Sequence, residues 1–352
     1  MSAPPTIALS ILDQSPIRTG GTGVETLHET LELARRADEF GYTRYWLAEH
    51  HATASLAGPA PEILVTRIAG ETENIRVGTG GVMLSHYSPL KVAETFRVLE
   101  ALYPGRIDLG IGRAPGSDQI TAAALAYGSA IGVEYFPARV ADMMAFLSDA
   151  PPPTEAFSAI DVSPKTSTLP DLWLLGSSDQ SALLAAQFGL NFAFAQFITP
   201  EGGEPIIRGF RQHFRPSELV RTPRTILAVF VICAETEAEA ARLAKSRDLS
   251  LVQRTRGGFM PFPSPEEAED FGYTDREIRF IAANRSRSLY GDPDQCRDIL
   301  TGMAETYGTN EIMVLTITHD PGARRRSYEL LADAFGLSPA RRSGKHAVPT
   351  GE

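Results

Sequence analysis

Along the chain, short and almost continuously apolar runs alternate with longer stretches in which apolar residues recur every three or four positions. The runs are residues 6–12 (TIALSIL), 43–48 (TRYWLA), 75–84 (IRVGTGGVML), 106–112 (RIDLGIG), 171–176 (DLWLLG), 191–195 (NFAFA), 225–233 (TILAVFVIC) and 311–316 (EIMVLT). Their length and their β-branched and aromatic content are those of strands buried on both faces, as in a parallel sheet. Between them the period becomes helical: in residues 25–40, Leu27, Leu31, Ala34 and Ala37 share one face opposite a charged one. Eight strands, each followed by a helix, predict an α/β fold, a (β/α)8 TIM-type barrel with insertions. A doubly wound open sheet is the alternative.

No repeat of fixed period and no low-complexity linker divides the chain, so a single barrel domain is expected over residues 1–336. Its excess length falls in 119–170 and 256–290. The second of these, with paired glycines, several prolines and aromatics, reads either as a lid over the barrel mouth or as a static surface excursion. Residues 337–352 carry no periodic apolar face and are expected to form a loosely packed tail.

Composition narrows the function. A net charge of -10 disfavours nucleic acid as a partner, so any phosphate site must be local. No apolar run is long enough to span a bilayer, and residues 1–6 lack the features of a signal peptide, so no membrane association and a cytoplasmic location are expected. Cys233 and Cys296 are the only cysteines, too few for a disulfide framework or a thiolate metal cluster, and are expected to be two packed thiols.

In such a barrel the chemistry sits just after each strand. The second run leads into Glu49, His50 and His51. Adjacent histidines on a strand point to opposite faces, unlike the H-x-H spacing that aims two imidazoles at one metal, so no metal site is expected. One histidine at the mouth would serve as an acid or base; alternatively both bond backbone at a strand end. The third run contains Gly80 and Gly81, which permit a planar ligand to approach the backbone or a bulge to form. The fourth ends in Gly110, Ile111, Gly112, Arg113, Ala114, Pro115 and Gly116, which misses the dinucleotide fingerprint but presents one guanidinium for an anion. After the fifth come Ser177, Ser178, Asp179, Gln180 and Ser181 and then a helical run. Ser177 and Gln180 have capping-box spacing, and a helix N-terminus lined with hydroxyls suits a phosphate as well as it suits simple capping. Neighbouring strand ends would bring Arg113 to the same place.

The blocks YWLAEHH (45–51), RVGTGGVML (76–84), HYSPLKVAE (86–94), GRIDLGIGRAPG (105–116) and AAQFGL (185–190), with LYGDPDQ (289–295) and ITHDPGARRRSYELL (317–331), resemble the bacterial luciferase-like flavin-dependent monooxygenases, alkanal-monooxygenase-like subgroup. The resemblance runs from residue 6 to about 335. It implies a barrel that binds reduced FMN, supplied by a separate flavin reductase, and that lets O2 add at the flavin C4a position so that the resulting peroxide oxidises a small-molecule organic substrate. An aromatic polyketide of secondary metabolism is the substrate it suggests. A homodimer through helices within 61–73 and 89–102 is implied as well. By the same resemblance His50 is the acid/base or flavin-stabilising residue, Gly80 and Gly81 lie under the isoalloxazine ring at a position that often holds a cis peptide, and Arg113, Ser177, Ser178 and Ser181 hold the phosphate. Two departures stand out. Gly112 replaces the reactive cysteine of several members, and GSSDQS replaces an AESAST-like stretch. An alkanal oxidase, an enzyme of the deazaflavin F420 and a non-catalytic flavin binder are the alternatives.

Overall fold

In the computed structural model, which describes residues 7–114, 118–127 and 133–339, every one of the apolar runs contributes a strand. The strands are β1 (Ala8–Asp13), β2 (Arg44–Leu47), β3 (Arg76–Thr79), β4 (Val82–Met83), β5 (Ile107–Gly112), β6 (Asp171–Gly176), β7 (Asn191–Ala195), β8 (Thr225–Cys233), β9 (Leu289–Gly291) and β10 (Glu311–Leu315). All pair in parallel around the ring β1-β2-β3-β5-β6-β7-β8-β10, and β10 returns to β1, which closes the eight-stranded barrel. No described helix is long and apolar enough to cross a membrane.

The third run differs from its expectation. It breaks after Thr79, and its far end pairs again with β5 as β4, Val82 opposite Ile111 and Met83 opposite Gly112. Space explains the glycines at the break: a Cβ on Gly81 would come within 2.6 Å of the Gly110 carbonyl oxygen, and one on Gly80 within 2.7 Å of a Leu12 methyl. The peptide between the two glycines is cis. The short β9 was not evident as a strand; it pairs with the end of β8.

Alternation along each strand divides the interior into two populations. Outward residues such as Leu9, Ile11, Val77, Leu109 and Val229 join the surrounding helices in one large core. Inward residues fill the bore in layers. At the N-terminal end lies a charged plug, where Arg44 donates to Asp108 at 2.7 Å and to Glu311 at 2.8 Å, and Arg76 to Asp108 at 2.7 Å. Trp46 donates its indole N–H to the same Asp108 at 2.8 Å and meets Trp173 edge to face at 5.4 Å. Leu12, Ala193, Ala228 and Met313 pack with them. The plug seals one end, so the other end is where a ligand can enter.

The described parts of both insertions contain helices. Within 119–170 the helix Phe136–Ser148 packs on helix Pro89–Leu102, and the fully buried Arg97 ties them by donating to the carbonyls of Phe146 at 2.8 Å and Leu147 at 3.0 Å. Segment 256–290 is not an irregular loop. It follows the long helix Glu237–Thr255 and contains helices Pro265–Glu269 and Asp275–Ala283, each opened by a capping box. Of Phe259, Met260 and Phe262 only Phe262 turns inward; Phe259 is 64% and Met260 55% exposed. Both cysteines are buried. The tail starts against the body, with Leu337 N–H donating to the Ala332 carbonyl at 2.9 Å, and from residue 340 it lies outside the described residues, as do Thr6, Pro115 and Gly116.

Candidate active site

At the end of β2 the chain delivers Glu49, His50 and His51 to the mouth. Glu49 is 3% exposed and fully engaged: it accepts from the Tyr87 hydroxyl at 2.6 Å and the Met83 N–H at 3.0 Å, and lies 2.7 Å from His51 Nε2. His51 is therefore held to one side. His50 is positioned by its backbone N–H, which donates to the Gly58 carbonyl at 3.1 Å, while its buried Nδ1 has no hydrogen-bond partner among the described residues. Burial, with the charges of Arg254 and His51, pushes the His50 pKa down to about 4. At neutral pH the imidazole is uncharged and can donate from one nitrogen while accepting at the other.

Past the glycine break, the loop after β4 is held by Arg139, which donates to the carbonyls of Ser85 at 2.8 Å and Tyr87 at 3.0 Å. Ser85 in turn donates to the Arg113 carbonyl at 3.2 Å. Arg113 follows β5, and its guanidinium donates to the side-chain oxygen of Gln180, in the first turn of helix Asp179–Phe188. The neighbouring strand ends thus meet as anticipated.

The cap of that helix lies one residue later than the sequence spacing indicates. Ser178, with an extended backbone, is the N-cap, and its Oγ accepts from the Ser181 N–H at 3.3 Å. Ser177 is the half-buried link between strand and cap. Ser181 is 6% exposed, and its hydroxyl lies 3.2 Å from that of Ser178. Gly176 explains the tight fit, since a Cβ there would lie 2.3 Å from that of Ser181.

Two residues at the mouth were not singled out from the sequence. Arg247 and Arg254 lie on helix Glu237–Thr255, whose Ala240, Leu243 and Ala244 pack into the bore cluster. Arg247 stacks over the Phe230 ring at 3.5 Å and donates to Ser288 at 2.7 Å. Their spacing of seven, two helical turns, is a sequence signal for one shared face. A groove of about 450 Å³ lies elsewhere, lined by residues including Arg18, His319 and Arg325, with His28 and Glu29 of helix Gly23–Phe40; none of the predicted site residues borders it.

The donor set suits a planar, phosphate-bearing group: a guanidinium and a helix N-terminus at one side, a side-chain-free strand break, and a buried imidazole with an unmatched nitrogen. Family membership and relatives make the protein a flavin-dependent monooxygenase. The chain belongs to the luciferase-like monooxygenase family, whose model matches residues 7–310. It is 46% identical over 332 residues to the uncharacterized protein YwcH of Bacillus subtilis, covering 94% of this chain and 99% of that one. It is 38% identical over 332 residues to the N-acetyl-S-alkylcysteine monooxygenase of the same organism, covering 93% and 98%. Among solved structures, apo-MsnO8 superposes with a TM-score of 0.86 at 43% identity, over 95% of this chain and 99% of that chain.

Proposed function

We propose that this protein is the oxygenase of a two-component system, taking reduced FMN from a separate flavin reductase and using O2 to oxidise a small organic substrate. The contact between Arg113 and Gln180 carries this reading, because it joins a guanidinium to a helix N-terminus at the open end of the barrel and so builds a phosphate-sized anion site in an acidic protein. Ser177, Ser178 and Ser181 surround that helix start, and the flavin ring is assigned to the strand break at Gly80 and Gly81. Reduced FMN supplies two electrons, with which one oxygen atom enters the substrate and the other leaves as water.

The chain's own contributions are positional. His50, neutral and desolvated, faces the mouth with a nitrogen able to hold or pass a proton. Glu49 fixes the turn that aims it. Helix Glu237–Thr255 and the helices after it roof the mouth against water. Helices Pro61–Glu71 and Pro89–Leu102 leave Ile63, Val98 and Leu102 exposed, which favours a homodimer through that face.

The test is oxygen uptake with reduced FMN and with reduced F420, each with and without an alkanal, an aromatic polyketide and an N-acetyl-S-alkylcysteine as acceptors. Uptake with FMN that becomes coupled to product for one acceptor supports the proposal. Hydride transfer from F420 alone, or flavin binding with no turnover, overturns it.

A further inference from the structure

The roof of the barrel mouth divides its arginines into two kinds. Arg256 pairs with Glu277 at 2.6 Å and Arg285 with Asp248 at 2.9 Å, so these two carboxylates are already matched. Arg247 and Arg254 have no carboxylate within ion-pair distance among the described residues. Arg247 is 9% exposed, and its polar contacts are Ser288 Oγ at 2.7 Å and the Arg287 carbonyl at 3.4 Å, beneath a stack on Phe230. Arg254 is exposed to solvent, and its side chain makes no hydrogen bond among the described residues. It follows Ala240 and Arg247 at spacings of seven on the same helix, and Ala240 packs in the bore cluster, so Arg254 shares the mouth-facing side, and its charge acts on both Arg247 and His50. Burial and the Arg254 charge push the Arg247 pKa down to about 9. Asp248, the acid that acts on Arg247, is already paired with Arg285, and Arg254 has no carboxylate partner among the described residues, so cationic charge is left over at this part of the mouth for an anion to complete.

Position around the ring separates this cluster from the Arg113 site. Arg113 and Ser178 stand over β5 and β6, whereas the helix bearing Arg247 and Arg254 follows β8 and His50 follows β2. Between β8 and β2 on the far side lie β10 and β1, so the cluster faces the half of the mouth opposite β5 and β6. We propose that the acceptor substrate carries an anionic group, a carboxylate or its equivalent, that docks against Arg254 with Arg247 behind it. This rests on the reading above that the β5–β6 side holds the flavin phosphate, and it makes Arg254 a specificity-determining residue.

The test uses benzoate, phenylacetate and 4-phenylbutanoate against their primary amides, titrated calorimetrically into the full chain with and without FMN. At least one acid is expected to bind about tenfold or more tightly than its amide, as charge-assisted pairing gives. Arg254→Ala should reduce that preference to about threefold or less, Arg254→Lys should keep part of it, and Arg297→Ala, on a remote surface helix, should leave it intact. FMN affinity should be unchanged in Arg254→Ala. No acid preferred over its amide, or a preference that survives in Arg254→Ala, overturns the proposal, as does a loss of FMN affinity in that variant in place of the preference. Failure of the flavin reading shows separately, as a wild-type chain that binds no FMN.

Discussion

Glu49 Oε1 lies 2.7 Å from His51 Nε2, and this contact separates two adjacent histidines into different tasks. His51 braces the carboxylate that also takes the Tyr87 hydroxyl and the Met83 N–H, whereas His50 is left with a buried Nδ1 directed at no protein group among the described residues. His50→Ala should fold and bind flavin but lower product formation by about 100-fold, the low end for general acid or base work, with oxygen diverted to hydrogen peroxide. His51→Ala removes one of three Glu49 contacts and should cost less than about tenfold. Equal losses in single-turnover product assays would contradict the assignment.

His50 also sets a pH dependence of stability. Its pKa falls from 6.5 to about 4 on folding, so as pH drops below 6.5 the unfolded chain takes up the proton first and the folded state loses stability until about pH 4. His50→Gln removes that term. Urea unfolding should show the variant gaining on the wild type between pH 7.5 and pH 5, and a constant difference would mean that His50 is not desolvated.

The plug at the closed end makes a prediction far from the mouth. Asp108 is fully buried and accepts from Arg44, Arg76 and Trp46, and its carboxyl is held below the usual carboxylate range against burial by the two arginines. Asp108→Ala removes one of the three acidic partners of buried Arg44, Glu311 and Asp171 remaining, and should cost about 3–5 kcal/mol by urea unfolding. A cost under about 1 kcal/mol would show that the cluster relaxes.

Much of this was legible in the chain because apolar run length reports burial directly: all eight runs gave strands, and β8 is buried at every position. The position of His50, Arg113 and the serine turn at the strand ends was legible because barrel topology carries each strand into the mouth. The break at Gly80 and Gly81 was less so, since glycines say that something approaches closely without saying what. Ser178 displaced Ser177 as cap because two adjacent serines offer the same chemistry and only backbone geometry chooses between them. The plug was hidden because Arg44, Arg76, Asp108 and Glu311 near strand ends read as polar edges, and their convergence requires the closed ring. The capped helices of 256–290 were obscured by the prolines around them, although Ser264 with Glu267 and Thr274 with Glu277 carried the box spacing.

The roof should be least stable between its helices. Gly257 adopts a φ of +85°, a Cβ there would meet nothing within 4 Å, and Phe259 and Met260 beside it are exposed. Limited proteolysis should cut first within 256–263, and FMN should slow the cut by ordering the mouth. Equal rates with and without FMN would leave the segment as an ordinary surface connection.

The most direct measurement is an anaerobic titration of reduced FMN into the wild type and Arg113→Ala. If Arg113 and the Ser178-capped helix hold the flavin phosphate, the wild type saturates and the variant weakens by roughly 1.5–3 kcal/mol, the range for a bond to a charged group, or roughly 10- to 150-fold. An Arg113→Ala affinity for reduced FMN equal to the wild type, or a wild type that binds no reduced FMN, would contradict it.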